Sequence, residues 1–212
     1  MYLKWIVCEV EAASCGAFHR AQLGWRRIRS AEGFVAQVGG WTQDRREACV
    51  LGLWEDKASC DRFMASLHDE IVNETHQDLT YLSCRVMHAA SVMRMGGEAA
   101  TLREAIRGAV VLRVADCEVR ADRIPHFLDV QRNVWEPAMA SAAGQLGGVF
   151  SRSATSPSRY LVTTFWRAAE SHAEYVRNRV PTLRAAASVD EDVDTLAGRV
   201  VQLEGAWRVI SG

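Results

Sequence analysis

Several things are missing from this 212-residue chain, and each absence removes a class of chemistry. There is no C-x-x-C pair and no Cys/His cluster with zinc-ligand spacing, and "HDEIVNETH" is not H-E-x-x-H. No metal site is therefore expected. G-x-S-x-G, a Walker loop and a Rossmann glycine pattern are also missing, so nothing points to a serine hydrolase or a nucleotide-binding enzyme. No window approaches the ~18 consecutive apolar residues of a membrane span. The opening "MYLKWIVCEV" is interrupted by Lys4 and Glu9 and lacks a small-residue cleavage site, so it reads as a first strand and not a leader. An excess of one charge is absent too. Lys and Arg number 25 against 26 Asp and Glu, which excludes the concentrated basic face of a nucleic-acid binder. The basic run "HRAQLGWRRIR" reads as the solvated side of an amphipathic helix. The six cysteines are scattered through apolar patterns, where a free thiol acts as a small hydrophobe. Cytoplasmic localisation is the expectation.

What is present is an ordinary globular balance, 49% apolar and 24% charged, long enough to bury a core without disulfide or metal staples. It is also written twice. "IVCEV" (6–10) returns as "ADCEV" (115–119), and Phe18 and Gln22 return as Phe127 and Gln131. Trp25 is answered by Trp135, "GFVAQVGG" by "GQLGGVFS", "VLGLW" by "VTTFW", and Phe63 by Tyr175. The order is kept throughout, as a duplicated unit requires.

Each unit reads β-α-β-β-α-β. In the first, strands are predicted at 2–10, 34–41, 48–54 and 81–93, and helices at 15–29 and 57–73. In the second, strands are predicted at 110–119, 145–153, 159–166 and 197–209, and helices at 121–140 and 168–187, with Pro137 ending or kinking the first of these. The division is residues 1–94, a linker over 95–109 containing a short helical pattern, and residues 110–212. The fold class is α+β, two tandem ferredoxin-like units. The strands are apolar on both faces, so both faces need cover. Two such sheets facing one another would make an α/β barrel of the dimeric type within one chain.

The segments "KWIVCEV…GFVAQVGGW…ACVLGLWED…FMASLHDEI", followed by "QRNVWEPAMAS…YLVTTFW", resemble the bacterial YdbC-like family, a family of unknown function. At greater distance each unit is similar to the dimeric α/β-barrel superfamily, which includes antibiotic-biosynthesis monooxygenases, haem-degrading enzymes and cyclases. The resemblance implies a small-molecule enzyme of that type, a cofactor-free monooxygenase or cyclase acting on an apolar or aromatic metabolite. The alternatives are a haem-binding enzyme of the same fold and a non-catalytic small-ligand binding protein. No cofactor is the first expectation and haem the second. Monomer and homodimer are both open.

Candidate site residues follow from pattern. His68 flanks the apolar stripe of the second helix and has a valine, Val180, as its repeat partner. It is a candidate base, or the axial ligand if haem is bound. Gln37 is a polar residue on a buried strand. Glu9, Asp116 and Glu118 occupy the strand face opposite Cys8 and Cys117; if that face lines an interior, they are candidate proton carriers. Gln22 and Gln131 interrupt apolar helix stripes at the same repeat position and must satisfy their amides, by loop backbone or by ligand. Trp41, Trp54, Trp135 and Trp166 are core residues or substrate-stacking rings.

Overall fold

A computed structural model describes all residues, 1–212. The chain divides into two compact units, residues 1–90 with 201–212, and residues 91–200.

In the first unit, β1 (Tyr2–Glu9) leads into α1 (Cys15–Leu23) and a 3-10 turn over Gly24–Ser30. β2 (Phe34–Thr42) and β3 (Glu47–Trp54) form an antiparallel hairpin. The second helix starts where Asp56 accepts a hydrogen bond from the Ser59 backbone N–H at 2.8 Å, an N-cap that satisfies an otherwise free donor. The single helix expected over 57–73 is two, α2 (Lys57–Ala65) and α3 (Leu67–Thr75). Ser66 lies between them off helical geometry, and its hydroxyl donates back to the Arg62 carbonyl at 2.8 Å. Serine competes in this way with the helical ladder. β4 (Ser83–Met95) closes the sheet beside β1, giving the order β4-β1-β3-β2.

After α4 (Leu102–Gly108) the second unit follows the same plan. β5 (Val111–Val119) is followed by α5 (Ile124–Val130), a π turn over Gln131–Trp135, and α6 (Glu136–Ala140). Pro137 has no N–H to give the carbonyl four residues back, and its ring crowds that carbonyl. The helix widens just before it, so that the Glu136 N–H bonds the Gln131 carbonyl, and then continues to Ala140. β6 (Gln145–Ser153) and β7 (Arg159–Trp166) form the hairpin with the predicted bounds. α7 (Ala169–Asn178), α8 (Val180–Ala186) and the short α9 (Val189–Asp192) precede β8 (Val193–Leu203), which lies beside β5 in the order β8-β5-β7-β6.

The end of the chain departs from the expected division. The last strand begins at Val193, not 197, and residues 201–212 belong to the first unit. There Val201–Leu203 and the two-residue β9 (Val209–Ile210) run antiparallel to β2. Gly40 makes this possible. A Cβ at this position would come within 1.8 Å of the Gln202 carbonyl oxygen, so any side chain would drive the strands apart. Trp207 sits in the same core cluster as Phe18 and Trp41. As the two-sided hydrophobicity implied, both strand faces are buried: Leu3, Trp5, Leu51 and Leu53 on one, Tyr2, Cys8, Val50 and Trp54 on the other.

Candidate functional site

Each unit holds a cavity between its helices and the strand face beneath them. In the first, of about 390 Å³, β1 contributes Lys4, Ile6 and Cys8, every second residue, as the pleat requires. In the second, of about 140 Å³, β5 contributes Arg113, Ala115 and Cys117 in the same manner. The helices supply Phe18, Gln22 and Trp25 above the first, and Phe127, Gln131 and Trp135 above the second.

His68 lines the first cavity from the opening turn of α3. Its ring lies 5.4 Å from Trp25 and 5.8 Å from Phe63. Nδ1 is 2.8 Å from Asp69 Oδ1. A carboxylate only accepts, so Nδ1 carries the proton and Nε2 is left as the basic nitrogen. Burial, ahead of the opposing pull of Asp69, moves the imidazole below its ordinary pKa, which keeps it neutral near pH 7. Gln37 reaches the same cavity, with its Nε2 buried and unpartnered. Gln22 is held otherwise: its Oε1 accepts from Gln77 Nε2 at 2.8 Å, and Gln77 Oε1 in turn accepts from Trp25 Nε1. A side-chain relay, not loop backbone, thus answers the Gln22 amide oxygen. His68, Gln37 and Gln22 therefore share one cavity, while Gln131, Trp135 and Trp166 share the other.

The remaining candidates are elsewhere. The expectation that Glu9, Asp116 and Glu118 face an enclosed site is not met: the cavities lie on the strand face of Cys8 and Cys117, and parity puts these carboxylates on the other side. Glu9 is exposed at the end of β1 and accepts from Ser83 Oγ at 3.3 Å. Asp116 is clasped by Arg159 through Nε at 2.8 Å and Nη2 at 2.6 Å, and Glu118 accepts from the Ser158 hydroxyl. Trp41 packs against Phe18 and Trp207, and Trp54 against Phe34 and Phe63. Both are core rings, and neither lines either of these two cavities.

Both sites also hold a charge that is not among the expected site residues. Lys4 is buried, its ammonium meets Met64 Sδ at 3.1 Å, and it enters no ion pair. Burial lowers its pKa. Arg113, in the same place on β5, likewise has no carboxylate partner; Cys117 and Tyr175 are the groups that act on its charge besides burial. The signal was available: a cation 109 residues apart at the same point of two apolar strands, in phase with the cysteines. Two further features were invisible in sequence. Cys8 Sγ lies 3.3 Å from Cys84 Sγ, its register partner across β1 and β4. The hydrogen bond from Cys8 lowers Cys84 to about 7, and Cys8 is raised in return. In the second cavity His172 stands edge-on to Trp166 at 5.2 Å, and burial with the neighbouring Arg113 lowers its pKa to about 4.

Known proteins place this architecture. The model of a domain of unknown function, DUF4937, matches residues 2–89. The uncharacterized protein YdbC of Bacillus subtilis strain 168 is 37% identical over 89 residues, which cover 41% of this chain and 75% of that protein. Among solved structures, a candidate monooxygenase of Lactobacillus acidophilus NCFM superposes over 100% of this chain and 96% of its own, with a TM-score of 0.74 at 13% identity. An anthrone oxidase-like protein does so over 100% and 93%, with a TM-score of 0.73 at 12% identity. At such identities the likeness shows the fold alone: α+β, with two ferredoxin-like units. The sequence match goes further: residues 2–89 match the model of the domain of unknown function DUF4937, and the chain belongs to the family of YdbC.

Proposed function

We propose that the protein is a small-molecule enzyme that oxidises an apolar, ring-containing metabolite in the cavity of its first unit, using dioxygen without a bound cofactor. The observation that carries this reading is a neutral imidazole, oriented by Asp69, in the same aromatic cavity as an unpaired ammonium. His68 Nε2 takes a proton from an activated ring C–H. Lys4 offsets the charge of the resulting enolate-type anion, and the free Gln37 amide donates to its oxygen. The anion has the electrons to reduce dioxygen. One oxygen atom becomes a carbonyl at the deprotonated carbon, and the other leaves as water with the two hydrogens of the original CH₂. A cavity of this size and lining is the usual form of such a site. Proteins of like fold include candidate monooxygenases and an anthrone oxidase-like protein, which makes this chemistry the first to test.

Anthrone is the probe, since its oxidation to the quinone is followed by absorbance and oxygen uptake together. Catalysed, equimolar uptake is the expected result. H68A should lower turnover by roughly 100-fold. Turnover unchanged in that variant removes His68 from the mechanism. A bound ring ketone recovered intact, with no oxygen consumed, replaces the enzyme by a carrier.

One observation favours a second reading. A histidine whose Nδ1–H is held by a carboxylate is the arrangement of many metal-ligating imidazoles. His68 would then hold haem iron through Nε2, and haem would supply the redox chemistry. A Soret band on haem addition, lost in H68A, is the outcome that selects it.

A further inference from the structure

The second unit's cavity takes no part in the chemistry proposed for the first, yet it is equipped to bind. Arg113 projects into it from β5. In the same unit Arg120, Arg123, Arg159, Arg167 and Arg184 each hold a carboxylate. Arg113 holds none, although enclosure makes an uncompensated charge costly. Two more polar groups on the cavity wall are left over. The Tyr175 hydroxyl, in a residue 7% exposed, and Gln131 Oε1, in one 5% exposed, are buried with no partner in the protein. Unpaired groups of this kind are rare in native interiors and call for an explanation.

The three together define a complement. A guanidinium fork matches a carboxylate in two parallel hydrogen bonds. The tyrosine hydroxyl can donate to the same group, whereas Gln131 Oε1 accepts only, and so asks for a donor on the ligand. The wall also carries Phe127, Trp135, Trp166 and Met139, suited to a flat ring, while its other guanidinium, Arg184, is already paired with Asp190. The volume, about 140 Å³, is close to the roughly 150 Å³ of a cavity that admits benzene. We propose that this cavity is a separate binding site for a single-ring aromatic carboxylate carrying a hydroxyl or amino group, with Arg113 as its counter-ion.

The site stands apart from the His68 chemistry, and its test does not use it. Calorimetric titration of the full chain with 4-hydroxybenzoate should give one equivalent bound. The uncharged 4-hydroxybenzamide should bind roughly 30-fold more weakly, the lower end expected when a buried charge pair loses one partner. R113M should lose a similar factor toward 4-hydroxybenzoate and discriminate little between acid and amide. H68A and K4M, in the other unit, should leave the titration unchanged. If R113M does not fold, R113K keeps the charge without the fork, and should still prefer acid to amide at lower affinity. Failure of 4-hydroxybenzoate to bind overturns the proposal. So does equal affinity for acid and amide, or loss of binding in K4M.

Discussion

The two cavities rest on the same strand positions and differ in what the helices add. Both have a cation without a carboxylate on the first strand, Lys4 in one and Arg113 in the other. Both have a glutamine above it, and both have a Trp–aromatic pair behind it, Trp54 with Phe63 at 4.9 Å and Trp166 with Tyr175 at 5.3 Å. Only the first has an oriented imidazole. In the second, Val180 takes the place of His68, while His172 stands where the first unit has Cys60. The first cavity is also the larger, about 390 Å³ against 140 Å³. An uncompensated cation is thus the feature the units share, and the oriented imidazole is the feature that divides them.

The comparison can be broken at several points. The largest expected effect is on stability. Trp54 and Trp166 are each 1% exposed in their unit's core, and W54A or W166A should cost about 3–5 kcal/mol by denaturant melts. A large loss in one unit alone would deny that the two cores are built alike. Next is the division of labour between the cations. K4M should lower oxidation turnover by about 100-fold, the scale of one preorganised charge, while R113M leaves it unaltered. Equal losses would erase the distinction between the sites.

Acid sensitivity should fall more heavily on the second unit. The His172 pKa of about 4 lies below its ordinary 6.5, so between these values the unfolded chain binds a proton that the folded protein refuses. Stability gained above pH 6.5 is therefore lost as the pH falls toward 4. H172Q should flatten that part of the profile more than H68Q does, as followed by melts at successive pH values. Thiol reactivity should run the other way. Iodoacetamide at pH 7.5 should label exposed Cys84 ahead of buried Cys117, whose thiol is pushed up to about 12, as read by peptide mass. The smallest effect is expected for Q37L, which removes a buried amide nitrogen that bonds nothing and should change stability by no more than about 1 kcal/mol.

Strand and helix order was legible because both periodicities are strong. The 145–153 and 159–166 strands came out with their predicted bounds, and the glycines of "VGGW" marked the close approach that Gly40 makes. The second helix reads as continuous because Ser66 fits a helical pattern, and only its backbone geometry shows the break. Within the candidate site, His68 and the paired glutamines were found because a polar residue on an apolar stripe stands out. The carboxylates lie away from the cavities, and parity alone says which residues share a face, not which face is hollow. Lys4 reads as an interruption of a strand, although Arg113 repeats it. His172, Tyr175 and the Cys8–Cys84 pair depend on contacts that no local pattern carries.

The return of residues 201–212 to the first unit has a consequence for synthesis. Residues 91–200, the whole of the second unit, leave the ribosome before the partner strand for Gly40 and the Trp207 ring of the first unit exist. The portion of the chain made first is therefore completed only after the second unit has been made, and until residues 201–212 emerge its β2 edge and the core around Phe18 lack their cover.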